Sequence, residues 1–158
     1  MAGLIYTSTG KGVMVFSPEG QAVRSFLDKD HSQLHDMEIR QEGGVEYIYG
    51  ARNNDREGIK FRADNGEIVL HLRYPEESGL NLDKFNPTAI TVAPNGDIFL
   101  ADGYASDHIF KYDKTGEYLM HFGKHGDGLK EFHTAHGMTL DTRYDPPRLM
   151  KLVRAPLP

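Results

Sequence analysis

Two histidines of this chain occupy the same place in a recurring apolar motif. His35 lies in "LHDMEI" and His136 in "AHGMTL", whereas the intervening segment "PTAITV" has Thr88 at that place. Imidazole is a common metal ligand and carries protons near neutral pH. Because both histidines replace Thr88 at one repeat position, we predict that they come close enough to share a divalent ion.

The elements that would carry these side chains are short strands. The stretch "PTAITVAPNGDIFLADGYASDHIFKYDKTGEYLMHFG", from Pro87 to Gly123, alternates apolar runs with turn-rich tetrapeptides such as "APNG" and "DKTG". Its Asn95-Gly96 pair favours a type I′ turn. Helical spacing of apolar residues is hard to find. The pattern therefore predicts a four-stranded antiparallel meander.

The same plan recurs along the chain. His35 and Thr88, like Thr88 and His136, are about fifty residues apart, which is within the usual range for propeller blades. Such repeats cannot bury both faces alone, so we predict an all-β β-propeller of four-stranded blades. The prediction is one partial domain, 1–158, with these divisions: 1–30 (half a blade), 31–84, 85–132 and 133–158 (half a blade).

Composition excludes several functions. The 158 residues are 39% hydrophobic and 26% charged, as in one globular domain, and the net charge of −5 without a basic cluster argues against nucleic acid. No stretch is long and apolar enough for a membrane span. The absence of cysteine excludes disulfides and thiolate chemistry. The start of the chain lacks signal-peptide features, which predicts a cytoplasmic protein, or an exported one if the true N-terminus is missing.

The pattern "FNPTAITVAPNGDIFLADGYASDHIFKYDKTGEYLMHFG", followed by "EFHTAHGMTLD", resembles NHL repeats, the blades of many six-bladed propellers. Within that group it is most similar to the peptidyl-α-hydroxyglycine α-amidating lyases, which cleave an α-hydroxyglycine. The motif Ala101-Asp102-Gly103-Tyr104 is the closest local match. The resemblance implies that this chain holds about three blades' worth of a six-bladed ring.

In the lyases, histidines from alternate blades bind zinc near the axis, and His35 and His136 resemble the first two of them. Tyr104 matches the catalytic tyrosine, which would act as acid or base. Asp36, next to His35, is a further metal candidate and could bind calcium through oxygen. The chain also departs from the family. The third histidine would lie in a later blade, and the substrate-binding arginine of the first blade would fall near Thr7 or Ser8.

Each residue also has a plainer interpretation. His35 and His136 could be hydrogen-bonded polar groups near a channel mouth, and Tyr104 could be a packing aromatic. Two function classes remain open. One is a zinc-dependent carbon–nitrogen lyase with a small-molecule or peptide substrate, and the other is a non-catalytic propeller that binds a protein or small ligand. The remaining histidines are predicted to be surface or strand residues: His31, His71, His108, His121, His125 and His133.

An incomplete ring would leave strand edges without partners, and such edges invite pairing with another chain. We therefore predict a possible homodimer in which the N-terminal half-blade of one copy completes the C-terminal half-blade of the other. The competing hypothesis is that the chain closes on itself, with residues 150–154 pairing with the strand near Leu4. A fragment, an internal deletion or a natural half-propeller would each explain the short chain.

Overall fold

The computed structural model describes residues 3–10, 12–27, 33–80 and 83–153, with the side chains of Leu152 and Val153 excepted. His31 lies outside the described residues. The described chain is almost entirely β-structure, with a single turn of 3₁₀-helix at Glu76–Ser78. Its strands are β1 (Ile5–Thr9), β2 (Gly12–Phe16), β3 (Ala22–Phe26), β4 (Asp36–Glu42), β5 (Val45–Arg52), β6 (Glu57–Arg62), β7 (Ile68–Leu72), β8 (Ala89–Val92), β9 (Ile98–Ala101), β10 (Ile109–Tyr112), β11 (Tyr118–Phe122), β12 (Ala135–Asp141) and β13 (Arg148–Val153).

The strands form four antiparallel sheets in sequence order, of which the first three are meanders and the last is a hairpin. They are β1-β2-β3, β4-β5-β6-β7, β8-β9-β10-β11 and β12-β13. The two central sheets have the four strands of a propeller blade, and β4, β8 and β12 are the first strands of their sheets. The predicted all-β propeller of antiparallel blades is confirmed.

Among the described residues, the two terminal sheets have fewer strands than the two central ones. The N-terminal sheet has three strands among the described residues, because residues 5–9 pair with β2 along their whole length. At the other end, β13 pairs with β12 from Asp141↔Arg148 to Ala135↔Val153. Within the described chain β13 does not pair with β1, so the predicted self-closure of the ring is not observed.

The turn between β8 and β9 differs from the type I′ turn that the sequence predicted. Gly96 has φ 92°, but Asn95 is not among the residues with positive φ, as a type I′ turn would require. Pro94 has its φ fixed near −65°, and Gly96 N–H bonds the carbonyl of Ala93 at 2.9 Å. This is a type I turn followed by a left-handed glycine, and Gly116 repeats it with φ 89° after Asp113.

The hydrophobic core lies between sheets, as expected when blades stack around an axis. One cluster joins the first and second sheets through Val13, Phe26 and Phe61. A larger one joins the second and third through Tyr49 and Phe110. Smaller residues fill the junction of the third and fourth sheets: Ala89, Ala101, Ile109 and Ala135. Alanines allow the strands nearest the axis to approach closely at this junction.

Side chains, not a backbone ladder, join the first strands of the second and third sheets. The Asp36 carboxylate accepts the Ile90 N–H at 3.0 Å. The Glu38 carboxylate accepts the Thr91 hydroxyl at 2.6 Å and the Val92 N–H at 3.4 Å. The free edge of β8 is thus covered by carboxylates of β4, which positions the start of β4 beside the start of β8.

Candidate functional site

Three aromatic rings from three sheets meet where the first strands begin. His35 immediately precedes β4, His136 is the second residue of β12, and Tyr104 lies in the loop between β9 and β10. The ring centres of His35 and His136 are 5.1 Å apart. The Tyr104 ring lies 5.1 Å from that of His35 and 5.0 Å from that of His136, edge-on to both. The structure therefore brings these three predicted residues together.

The hydrogen bonds of His35 define its tautomer. Its Nδ1 lies 2.8 Å from the Thr88 carbonyl oxygen, which can only accept, so Nδ1 carries the proton. Its Nε2 then has a lone pair and accepts the Tyr104 hydroxyl at 3.1 Å. The backbone N–H of His35 also donates to Ala51 at 2.7 Å. His35 is thus fixed by two neighbouring blades, with its basic nitrogen directed at Tyr104.

Thr88, the residue at the equivalent position of the third sheet, lies beneath the three rings and is fully buried. Its hydroxyl donates to the carbonyl oxygen of Ala135 and accepts the N–H of Gly103 at 3.2 Å. The first contact fixes the residue before His136, and the second fixes the residue before Tyr104. The Thr88 hydroxyl therefore stabilises the cluster. The sequence did not indicate this role, because Thr88 has no imidazole.

Asp36 does not point its carboxylate at the rings. Its Oδ1 accepts the N–H of Met37 at 3.0 Å and its Oδ2 accepts that of Ile90. Burial raises the pKa of this carboxyl, against the lowering effect of the two amide hydrogen bonds and of His35. These contacts make Asp36 a link between blades. Each of its carboxylate oxygens already accepts one backbone hydrogen bond. Calcium binding at Asp36 stays a prediction.

Asp107 is a functional candidate that the sequence analysis missed. It is buried, adopts a left-handed φ of 58°, and accepts the Ala135 N–H at 3.0 Å through Oδ1. Its Oδ2 contacts His125 Nδ1 at 2.7 Å. The signal in the sequence was an aspartate at the end of the Tyr104 loop, but turn chemistry explains such a residue equally well.

A second carboxylate folds the same loop. Asp102 is fully buried and accepts the Asn86 N–H at 2.6 Å, the Ser106 N–H at 3.1 Å and the Ser106 hydroxyl at 2.5 Å. Burial raises the pKa of its carboxyl, while these hydrogen bonds oppose the rise. The carboxylates at the two ends of the loop, with the buried Gly103 between them, hold Tyr104 over the histidines.

Metal ligation is not evident from side-chain grouping alone. Within the ranges that the structure describes, no group of three or more His, Cys, Asp or Glu side chains could hold a metal ion. His35 and His136 supply two imidazoles, and Tyr104 supplies a phenol oxygen. The described residues also contain no helix long and apolar enough to cross a membrane.

Comparison with solved structures identifies the class of fold as the β-propeller. The WD40 β-propeller domain of Doa1 superposes with a TM-score of 0.60 at 12% identity, covering 87% of this chain and 40% of that domain. A protein of unknown function from Bacteroides caccae gives a TM-score of 0.61 at 11% identity, over 96% of this chain and 50% of that one. At such low identity these similarities concern the fold alone.

In sequence, this chain is 35% identical over 63 residues to peptidyl-alpha-hydroxyglycine alpha-amidating lyase 1 of Drosophila melanogaster. The match spans 40% of this chain and 12% of the lyase. The resemblance to these lyases that the sequence motifs predicted is confirmed. No protein-family model matches the chain.

Proposed function

We propose that the cluster of His35, Tyr104 and His136 is the ligand-binding site of a lyase-type propeller that cleaves the carbon–nitrogen bond of an α-hydroxyglycine. The observation that carries the proposal is the meeting of the three rings within 5.1 Å, although each comes from a different sheet. The similarity to an amidating lyase supplies the reaction class.

The spacing of the two imidazoles supports zinc as the bound ion. Zinc lies about 2.0–2.1 Å from each ligand nitrogen, so two imidazoles at a tetrahedral angle have ring centres about 5.2 Å apart. The observed separation is 5.1 Å. His35 would bind through Nε2, its lone-pair nitrogen, and the remaining positions require ligands from water, substrate or another chain. A bound zinc ion would act as a Lewis acid toward a substrate oxygen.

Tyr104 is placed to carry the proton that the reaction releases. When an α-hydroxyglycine is cleaved, its hydroxyl loses a proton, a carbonyl forms at that carbon, the carbon–nitrogen bond breaks, and the amide nitrogen takes up a proton. Tyr104 would act as a phenolate that accepts the hydroxyl proton, because His35 Nε2, 3.1 Å away, would be occupied by zinc and could not take a proton. The reverse transfer then supplies the amide nitrogen. The products are a peptide amide and an aldehyde acid.

A non-catalytic binding propeller is the second candidate, favoured by the absence of a third protein ligand among the described residues. In that case the exposed face of Tyr104, 45% accessible, would contact a peptide or protein directly. Catalysis separates the two candidates, because a binder would hold an α-hydroxyglycine without cleaving it.

The test is an assay of an acylated α-hydroxyglycine with zinc-loaded protein, following the aldehyde product. Tyr104→Phe removes the hydroxyl but keeps the ring, so we expect a fall in kcat of about 10²-fold or more. Tyr144→Phe is the matched control, since Tyr144 is 43% exposed and lies outside the ring cluster. If the parent is inactive, or if both variants retain full activity, the lyase proposal is wrong.

The missing ligands also support a proposal about assembly. A ring closed by two copies would place two His35 and two His136 side chains around one axis, enough imidazoles for a zinc site. At each junction between the two copies, the first sheet of one copy would contribute three strands and the last sheet of the other copy would contribute two. A dimer would therefore have to overlap or displace one strand to form a four-stranded blade.

A further inference from the structure

Two histidines in the loop between β11 and β12, outside the three-ring cluster, each pair with a carboxylate. His125 Nδ1 contacts Asp107 Oδ2 at 2.7 Å, and His133 Nε2 contacts Asp127 Oδ1 at 2.7 Å. The two imidazole rings are edge-to-face, with centres 4.5 Å apart. The repeat pattern gives neither histidine a partner and predicts only that they are surface or strand residues.

The backbone of the loop brings the two rings together. His125 and Phe132 form an isolated parallel bridge, with Phe132 N–H donating to Lys124 at 2.8 Å and Gly126 N–H donating to Phe132 at 3.2 Å. The Lys124–Glu131 ion pair at 2.8 Å spans the same two segments. The two histidines are thus adjacent because the loop folds back on itself, and not through a chance crossing of long side chains.

Each carboxylate determines which nitrogen of its histidine has the lone pair. An ionised carboxylate can only accept, so His125 is protonated at Nδ1 and His133 at Nε2. The lone pairs then lie on His125 Nε2 and His133 Nδ1, and neither atom makes a hydrogen bond to any residue that the structure describes. Metal-binding histidines typically donate their other N–H to a carboxylate, which orients the ring and raises its basicity.

We propose that His125 and His133 form a binding site for a divalent transition metal, with Asp127 and Asp107 as the carboxylates that orient the ligands. The site is open to solvent, because the His125 and His133 side chains are 67% and 34% exposed. Two imidazoles leave the remaining coordination positions to water or to a ligand.

The spacing of the rings allows both imidazoles to bind one ion. With metal–nitrogen bonds of about 2.0–2.1 Å, ring centres are about 4.5 Å apart at a 90° angle and about 5.2 Å apart at a tetrahedral angle. The observed 4.5 Å is compatible with two ligands on one ion, and it is also an ordinary contact distance for aromatic rings, so the choice of metal rests on ligand chemistry. Copper binds nitrogen ligands most tightly in the divalent series, so Cu²⁺ is the probe of choice.

The test is titration of the tag-free full chain with Cu²⁺, followed by calorimetry and by electron paramagnetic resonance. We expect the double variant His125→Gln/His133→Gln to lose one equivalent of Cu²⁺ and the associated two-nitrogen hyperfine pattern. His71→Gln is the matched control, because His71 pairs with the Glu57 carboxylate at 2.8 Å but has no second imidazole in ring contact among the described residues.

A second variant guards against an effect of misfolding. Asp127 is 89% exposed, so Asp127→Asn leaves the fold intact while it removes the carboxylate behind His133. Copper affinity should fall by about 10–100-fold, as is typical for loss of such a partner. The proposal is overturned if the parent binds no such equivalent, if the double variant keeps it, or if Asp127→Asn leaves the affinity unchanged. None of these outcomes depends on lyase activity.

Discussion

At the scale of single residues, Thr88 shows how one buried hydroxyl can support a site to which it contributes no ring. It joins the Tyr104 loop to the start of β12 through Gly103 and Ala135. Its own carbonyl fixes the His35 ring. The recurrence of histidine at the equivalent positions was visible in the sequence, and it correctly predicted that His35 and His136 meet. The supporting hydrogen bonds were not visible, because they depend on how neighbouring blades dock.

Thr88→Val should therefore destabilise the protein and loosen the ring cluster. The isosteric change leaves the Gly103 N–H and the Ala135 carbonyl without their partner in a fully buried place, at a cost of about 1–3 kcal/mol of unfolding free energy. Urea unfolding measures it. Thr88→Ser keeps the hydroxyl and should lose less stability. A stability loss in Thr88→Ser with none in Thr88→Val would show that the methyl group matters and the hydroxyl does not.

Lys151 gives a pH-dependent prediction. Its Nζ is buried without a hydrogen-bond partner among the described residues and lies 3.1 Å from the centre of the Phe132 ring. Burial lowers the pKa of Lys151 to about 8. The unfolded chain, with a lysine pKa of about 10.4, binds this proton more tightly, so stability should rise as pH increases from about 8 toward 10.

The measurement compares urea midpoints at about pH 7.5 and pH 9.5 for the parent and for Lys151→Met. The variant should be more stable than the parent at the lower pH and should lack the parent's rise in this interval. Lys84→Met, at an exposed position, controls for the change of net charge. A parent whose stability is flat across the interval would contradict the lowered pKa.

At the scale of elements, periodicity was enough to locate the strands but not the loops that carry chemistry. The predicted turns "APNG" and "DKTG" lie between β8 and β9 and between β10 and β11, as the four-stranded meander requires. The Tyr104 loop could not be derived in the same way. Its shape depends on a left-handed Asp107 and on the carboxylate of Asp102, and both act through contacts with distant strands.

Gly103→Ala tests how closely this loop approaches β12. A Cβ at Gly103 would overlap the carbonyl oxygen of Ala135 and would lie 2.5 Å from Thr88 Oγ1. Because these neighbours are backbone and buried side chain, we expect a loss of about 1–3 kcal/mol. That loss corresponds to a Tm lower by at least about 3 °C. Gly3→Ala meets nothing within 4 Å and should leave the Tm unchanged. An unchanged Tm in both variants would refute the close approach.

At the scale of the whole molecule, the number of blades in a complete ring is the property that the sequence predicts least directly. Blade length follows from the repeat spacing, but ring closure depends on the angle between stacked sheets. β1 is an edge strand of the first sheet and β13 is an edge strand of the last sheet. These two edges do not pair with each other in the described chain. Unpaired edges of this kind favour association.

Light scattering of the purified chain at micromolar concentration tests the proposed dimer. We expect a mass twice that of the 17.8 kDa chain, falling toward the monomer on dilution. Zinc should shift the equilibrium toward the dimer if the two copies share the site. A monomer mass at all concentrations, with and without zinc, would exclude closure of the ring by two copies.

The side-chain junction between β4 and β8 has a consequence for how such a molecule could evolve. Asp36 and Glu38 reach across to amides and a hydroxyl of the next sheet, so no backbone ladder has to be kept in register between blades. A duplication or loss of one repeat therefore leaves every remaining hydrogen-bond ladder whole, and only a few polar side chains must find new partners. The gene can lengthen or shorten by whole repeats at low structural cost, which makes blade number a variable that selection can change more easily than blade architecture.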